Sequence, residues 1–284
     1  MNGCLPSESH RRIRLPTWLL LFVACALLAS PNAHPAPITF NTALPVSQNE
    51  LILREQIVVS ESAALRQQTL NTVIGYGVTP KLAVFGVLPV TRRDAVGGDT
   101  EIGIADATLF ARYEVFRQDN AGATLRVAPF LGVRLPSAAP DVLGDNGTDA
   151  LLGIIATSAS TKRVVDAQVA VELNGDAAGG RTGHLARFDA SLQYRAWPQT
   201  LTRRTKGFVY AVIESSLTYQ ERSRREGLRL PDTGGLQWFL IPGLQYVRQR
   251  WIADLAVKIP VVSNLNGEAF ELDYSVFASV RFNF

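Results

Sequence analysis

The chain reads as an all-β protein, a transmembrane antiparallel up-and-down β-barrel of about twelve strands, within a range of about ten to fourteen. Three observations predict this. Residues 270–284 place an apolar side chain at every second position (Phe270, Leu272, Tyr274, Val276, Ala278, Val280, Phe282, Phe284), with Glu271, Asp273, Ser275, Phe277, Ser279, Arg281 and Asn283 between them. One face of such a strand suits lipid and the other water. The amino-terminal end has the order of a secretory leader: Arg11, Arg12 and Arg14, an apolar run over 18–29, then a Ser/Pro/Ala stretch over 30–37. Beyond that leader no apolar run reaches the eighteen or so residues of a membrane helix, so a membrane role requires strands.

The expected organisation is a signal peptide over 1–36, cleaved between 30 and 37, followed by one barrel domain over 37–284. Both cysteines, Cys4 and Cys25, fall in the leader, so the mature chain holds no disulfide, thiol nucleophile or cysteine metal site. Phe22-Val23-Ala24-Cys25 is a poor lipidation motif because Phe22 stands where a Leu is usual. The full chain carries 28 Lys+Arg and 25 Asp+Glu, and the leader removes Arg11, Arg12, Arg14 and Glu8. The remaining +1 gives no basis for nucleic-acid binding.

Period two with turn punctuation gives strands at 51–59, 69–78, 81–90, 103–117, 124–135, 150–160, 163–174, 185–197, 208–220, 236–247, 251–261 and 270–284. The clearest is 185–197. Ala186, Phe188, Ala190, Leu192, Tyr194 and Ala196 take one face, and Arg187, Asp189, Ser191, Gln193 and Arg195 the other. Strands 163–174 and 251–261 repeat the pattern. The strand 51–59 fits less well, because Glu55 shares the face of Leu51, Leu53 and Ile57, which calls for a bulge or a position near the membrane interface. Trp238, Tyr246, Trp251, Tyr219 and Tyr194 stand near strand ends on the apolar face, as girdle residues do.

Links alternate in length. Those at 79–80, 118–123, 161–162 and 248–250 are short; those at 60–68, 91–102, 136–149, 175–184, 221–235 and 262–269 are longer and rich in Gly, Asp, Asn and Ser. Bacterial barrels have short periplasmic turns and long external loops, so both termini are expected in the periplasm of an outer-membrane protein. The polar link 198–207 is longer than its place in the alternation predicts.

Two segments carry a resemblance: Asn41-Thr42-Ala43-Leu44-Pro45-Val46-Ser47-Gln48-Asn49-Glu50-Leu51-Ile52-Leu53-Arg54-Glu55-Gln56, and Tyr76-Gly77-Val78-Thr79-Pro80-Lys81-Leu82-Ala83-Val84-Phe85-Gly86-Val87-Leu88-Pro89. Together they resemble the bacterial outer-membrane transporter-like family of the phenol degradation meta-pathway type. The resemblance is distinct over the first strands only. It implies an outer-membrane channel, with aromatic or other hydrophobic compounds as the solute class, and it brings no catalytic residues.

The lumen-lining candidates are Arg54, Arg112, Arg126, Arg134, Arg187, Arg195, Lys258 and Arg281 against Asp106, Glu114, Asp166, Glu172, Asp189, Glu214, Asp254 and Asp273. Equal numbers of each sign, in a barrel interior where a lone charge is costly, favour Arg–carboxylate networks over a charged selectivity filter. Phe85, Phe110, Phe130, Phe239 and Phe277 are candidates for apolar lumen walls. Phe282 and Phe284 form the expected carboxy-terminal assembly signal. His184 is the one histidine well clear of the leader, and no serine motif accompanies it. The turn Asp145-Asn146-Gly147-Thr148-Asp149 lacks the bidentate Glu of a calcium loop. No enzyme, cofactor or metal is therefore expected.

The function read from these features is passive passage of small molecules across the outer membrane. A non-conducting structural or surface-interaction barrel is the alternative, and a lipid-modifying enzyme a distant third. The expected partners are outer-membrane lipid, the barrel-assembly machinery and a small-molecule solute.

Overall fold

The computed structural model describes residues 33–284 apart from 178, 203 and 204. Residues 1–32, most of the expected leader, lie outside the described residues. The rest forms a closed antiparallel barrel of twelve strands, each paired with its neighbours in sequence. In chain order they are β1 Leu51–Glu61, β2 Leu65–Gly77, β3 Leu82–Ala95, an interrupted β4, β5 Ala123–Arg134 and β6 Asp149–Ser160. The second half holds β7 Arg163–Leu173, β8 Leu185–Trp197, β9 Gly207–Gln220, β10 Gly235–Arg248, β11 Trp251–Leu265 and β12 Tyr274–Asn283. Closure comes from β1 on β12, in register from Ile52↔Asn283 to Glu61↔Tyr274. Closing the sheet pairs the first strand with the last, so neither is left as an edge in lipid.

Alternation sets the two faces. Outward residues such as Ile57, Ile74, Leu131, Val169, Phe188 and Leu255 are exposed, while inward residues such as Asp166, Gln193, Glu214 and Gln245 are buried. This inverts a water-soluble protein and suits a lipid surround. Exposed aromatics lie toward both strand ends: Tyr76, Tyr113, Tyr194 and Trp197 on the short-turn side, Tyr219, Trp238 and Tyr274 on the other. The Trp238 indole N–H donates to Ser215 Oγ at 2.8 Å, so it carries no unmet donor on the outer face.

Several boundaries differ from the sequence expectation. Residues 60–68 are not a long loop: β1 and β2 continue to a turn at 62–64, held by Ser62 N–H on the Leu65 carbonyl. The segment 91–102 is likewise strand on both sides of a turn at 96–99. These extensions carry Arg, Asp, Gln and Thr, so they show no apolar face to reveal them. The expected strand 103–117 is instead β4 in three pieces, Thr100–Ile104, Thr108–Tyr113 and Phe116–Asn120. Asp106 sits at the first break and Glu114 at the second. The last strand begins at Tyr274, leaving Phe270 and Asp273 in the preceding loop. Glu55 needs no bulge: register runs evenly through it, and Thr72 Oγ1 donates to its carboxylate at 3.0 Å on the outer face.

Candidate functional site

A barrel of about eight strands is filled by its own side chains, and twelve enclose more room. Here the extra space holds chain. Residues 33–46 run through the lumen as a strap, with Pro35, Ala36, Pro37, Ile38, Ala43, Leu44 and Val46 buried. A strap without a ladder partner must still satisfy its backbone. Prolines at 35, 37 and 45 remove three donors outright.

Many of the remaining polar groups go to barrel side chains, while Ala33 N–H bonds the Gln249 carbonyl at 2.8 Å and Leu44 N–H the Thr42 Oγ1 at 3.3 Å. Gln245 exchanges two bonds with Ala36, at 3.2 Å and 3.0 Å. The Glu214 carboxylate accepts from Ile38 N–H at 2.6 Å, Thr39 N–H at 3.2 Å and Thr39 Oγ1 at 2.6 Å. Arg54 and Gln56 donate to the Ile38 carbonyl at 2.7 Å and 3.0 Å. Arg112 spans the carbonyls of Thr42 and Leu44, and Arg281 donates to the His34 carbonyl at 2.6 Å. Ala43 N–H donates to Thr157 Oγ1 at 2.8 Å. Two glycines admit the strap and its exit: a Cβ at Gly77 would lie 3.0 Å from the Val46 carbonyl oxygen and collide with that of Ser47, and one at Gly243 would lie 2.8 Å from Ile38 Cδ1.

The lumen charges fall into three sets. Guanidinium–carboxylate pairs join Arg54 with Asp254 at 3.4 Å, Arg126 with Glu114, and Arg134 with Glu172 and Asp149. A second set of carboxylates is held by neutral donors. Asp166 accepts from Thr157 and Gln193, Asp189 from Ser216 at 2.6 Å and Gln168 at 3.0 Å, and Glu214 from the strap. Asp106 caps the amides of Ser137, Ala138 and Asp145, fixing the loop at 135–148 over the break in β4. In the third set, Arg112, Arg187, Arg195, Lys258 and Arg281 meet no carboxylate within ion-pair distance among the described residues. Lys258 stands 3.9 Å from the centre of the Phe239 ring and Arg195 5.7 Å from that of Phe208. Asp273 is exposed in the loop before β12.

Phe85 stacks on Phe110 at 4.7 Å, and Phe110 meets Phe130 edge-on at 6.3 Å, forming an aromatic wall beside the strap. Phe239 and Phe277 pack against the buried cluster around Ile38 and Ile241. A cavity of about 1040 Å³ lies along the strap and reaches the short turns at 121–122 and 161–162. At the opposite end Arg134, Asp145, Asp149 and Glu172 tie strand ends to loops, with Gly175 N–H on Asp149 at 2.9 Å. His184 Nδ1 accepts from the Asn174 backbone at 3.0 Å, a loop-pinning contact.

Sequence reasoning located most of these side chains and missed the strap that many of them serve. The signal was present as a Pro-rich segment of small and apolar residues before the first strand, too short to be a domain and too apolar for a solvated linker.

No protein-family model matches the chain, and no curated protein matches it. Among solved structures, it is similar to the COG4313 outer membrane channel from Pseudomonas putida F1, at 15% identity and a TM-score of 0.62, over 88% of this chain and 100% of that one. The NanC porin gives 13% identity and a TM-score of 0.49 over 82% and 98%; LpxR from Salmonella typhimurium gives 7% and 0.47 over 82% and 99%. At these identities the likeness concerns fold. The chain has the fold of a twelve-stranded outer-membrane β-barrel.

Proposed function

We propose that this protein is an outer-membrane channel for passive passage of small molecules, with its lumen narrowed by its own strap. The observation that carries the reading is the strap itself. The lumen is occupied by a segment of the chain that is no part of the wall ladder, held by polar bonds and by packing of Ile38, Ala43 and Val46 on wall residues, with an open cavity beside it. The fold likeness to a channel supports it. The short turns and both ends of the described chain face one side, which we assign to the periplasm, with the long loops outside. Aromatic or other hydrophobic solutes, the class the family resemblance implies, fit the Phe85–Phe110–Phe130 wall.

A leader cleaved within 30–37 accompanies this reading. Ala33 N–H bonds the Gln249 carbonyl at 2.8 Å and Ala36 bonds Gln245, so the contacts favour cleavage at the amino-terminal side of that window. The intact mass of protein extracted from outer membranes should place the first residue at or before Ala33. A mass starting at Pro37 would remove these contacts from the mature protein.

Liposome swelling tests the channel. Proteoliposomes should swell in small sugars or amino acids, at rates falling as solute size rises. The second reading is a non-conducting barrel, favoured by the ties of Arg134 to Asp145, Asp149 and Glu172 at the loop end. Swelling no faster than in protein-free vesicles would select it and end the channel reading.

A further inference from the structure

The cavity beside the strap is cationic. Arg54, Arg112, Arg126, Arg195 and Arg281 line it, and Glu50 is the acidic side chain among its lining. Arg126 is neutralised by Glu114 and Arg54 by Asp254. Glu50 is occupied by Ser47 N–H at 2.7 Å and Asn283 Nδ2 at 2.6 Å. Arg54 and Arg281 stand directly opposite each other across the β1–β12 seam, a like-charge pair that a sheet tolerates poorly unless something negative lies between or beside them.

Arg195 is the most pointed case. It is 4% exposed, no side-chain acceptor meets its guanidinium among the described residues, and its Nε is buried without a partner. Across the strand pair stands Tyr210, 7% exposed. A buried guanidinium without an anion is costly. Arg54 and Arg126 are met by Asp254 and Glu114, and Arg112 and Arg281 by strap carbonyls, whereas Arg195 has neither kind of acceptor among the described residues. The ring beside Arg195 in the cavity wall is Phe208, 5.7 Å away, and Val164 and Leu201 also line the cavity; the stacked Phe85 and Phe110 line it beside Arg112.

We infer that this cavity is a binding site for a small organic acid, with its carboxylate held by Arg195 and its flat apolar body lying against Phe208 and the neighbouring walls. A guanidinium presents paired donors to a carboxylate, and the adjoining rings favour a body with apolar faces. The inference deepens the channel reading by naming the solute class. It rests on that reading for passage of the acid, while the binding itself does not.

The test is calorimetric titration of the purified full chain in detergent with benzoate, with its neutral isostere benzamide, and with inorganic phosphate. Benzoate should bind best of the three. Arg195→Gln should weaken benzoate by about tenfold or more, the scale of one charge-assisted contact, and leave benzamide unchanged. Because Arg195 meets no acceptor among the described residues and only the Phe208 ring faces it, at 5.7 Å, the variant should also keep the temperature at which the heat-modifiable band is lost. Arg229→Gln, in the loop at 221–234, serves as a control and should bind as the parent does. No benzoate binding by the parent, equal binding of benzamide, unchanged affinity in Arg195→Gln, or failure of that variant to fold would each overturn the site. Benzoate binding without liposome swelling would keep the site and end the channel reading; swelling without benzoate binding would do the reverse.

Discussion

Replacing both Phe282 and Phe284 by Asp should leave the chain out of the membrane and degraded, with no heat-modifiable band in the outer-membrane fraction. Phe282 is the cross-strand partner of both Leu53 and Trp251, so it sits at the seam where the first strand must find the last. Phe284 completes that seam through its backbone, accepting from Leu51 N–H at 3.2 Å and donating to the Leu51 carbonyl at 2.8 Å. The two rings lie 6.4 Å apart and form one aromatic patch at the short-turn end. Losing both forfeits up to about 3–6 kcal/mol of apolar burial and puts two carboxylates beside lipid. It also removes the aromatic terminus we take to be the signal for the assembly machinery. Cell fractionation with heated and unheated gel samples reads the result. Normal amounts of heat-modifiable protein from the double variant would refute both the seam's importance and the assembly signal.

The second large effect concerns the strap. Deleting residues 33–46 should leave a folded, heat-modifiable barrel with a wider lumen. The wall ladder does not depend on the strap: neighbouring strands from β1 to β12 pair with one another, and the strap adds bonds to wall side chains, one backbone bond from Ala33 N–H to the Gln249 carbonyl, and the apolar packing of Ile38, Ala43 and Val46. The deletion does strand its partners. Glu214 loses three donors and Arg112 two carbonyls. Water entering the widened lumen can solvate both, so the loss should lower the unfolding temperature without preventing assembly. Gel mobility and thermal unfolding of the deletion in detergent check this. A chain that cannot assemble would show the strap to be part of the wall's foldable core.

Much of the fold was legible because lipid and lumen impose opposite demands on successive residues. In β7, β8 and β11 the alternation needs no other information to assign a face. It failed where one of the two media was missing. The ends of β2 and β3 carry Gln67, Gln68, Arg92, Arg93 and Asp94 beyond the apolar band, and β1 ends on Ser60 and Glu61, so polar residues on both faces looked like loop. The β4 breaks were hidden because Asp106 and Glu114 each keep the inward parity of a continuous strand, while their partners, loop amides for one and Arg126 for the other, are set by tertiary structure.

The charge reading shows a different limit. Counting side chains suggested that inward arginines and carboxylates meet one another, as Arg134 and Glu172 do. Backbone does not enter such a count. Arg112 and Arg281 serve strap carbonyls, and Glu214 serves strap amides, which became visible only when the segment 33–46 was found inside the barrel. Neutral donors complete the account at Asp166 and Asp189, since a buried carboxylate needs hydrogen bonds and an opposite charge is one source among several.

Single-channel recording in planar bilayers, comparing the full mature chain with the deletion of 33–46, tests the central claim most directly. A channel narrowed by its own strap predicts small, discrete steps from the full chain and steps several-fold larger from the deletion, about in proportion to the lumen area released. Equal conductance from the two proteins, or none from either, would contradict it.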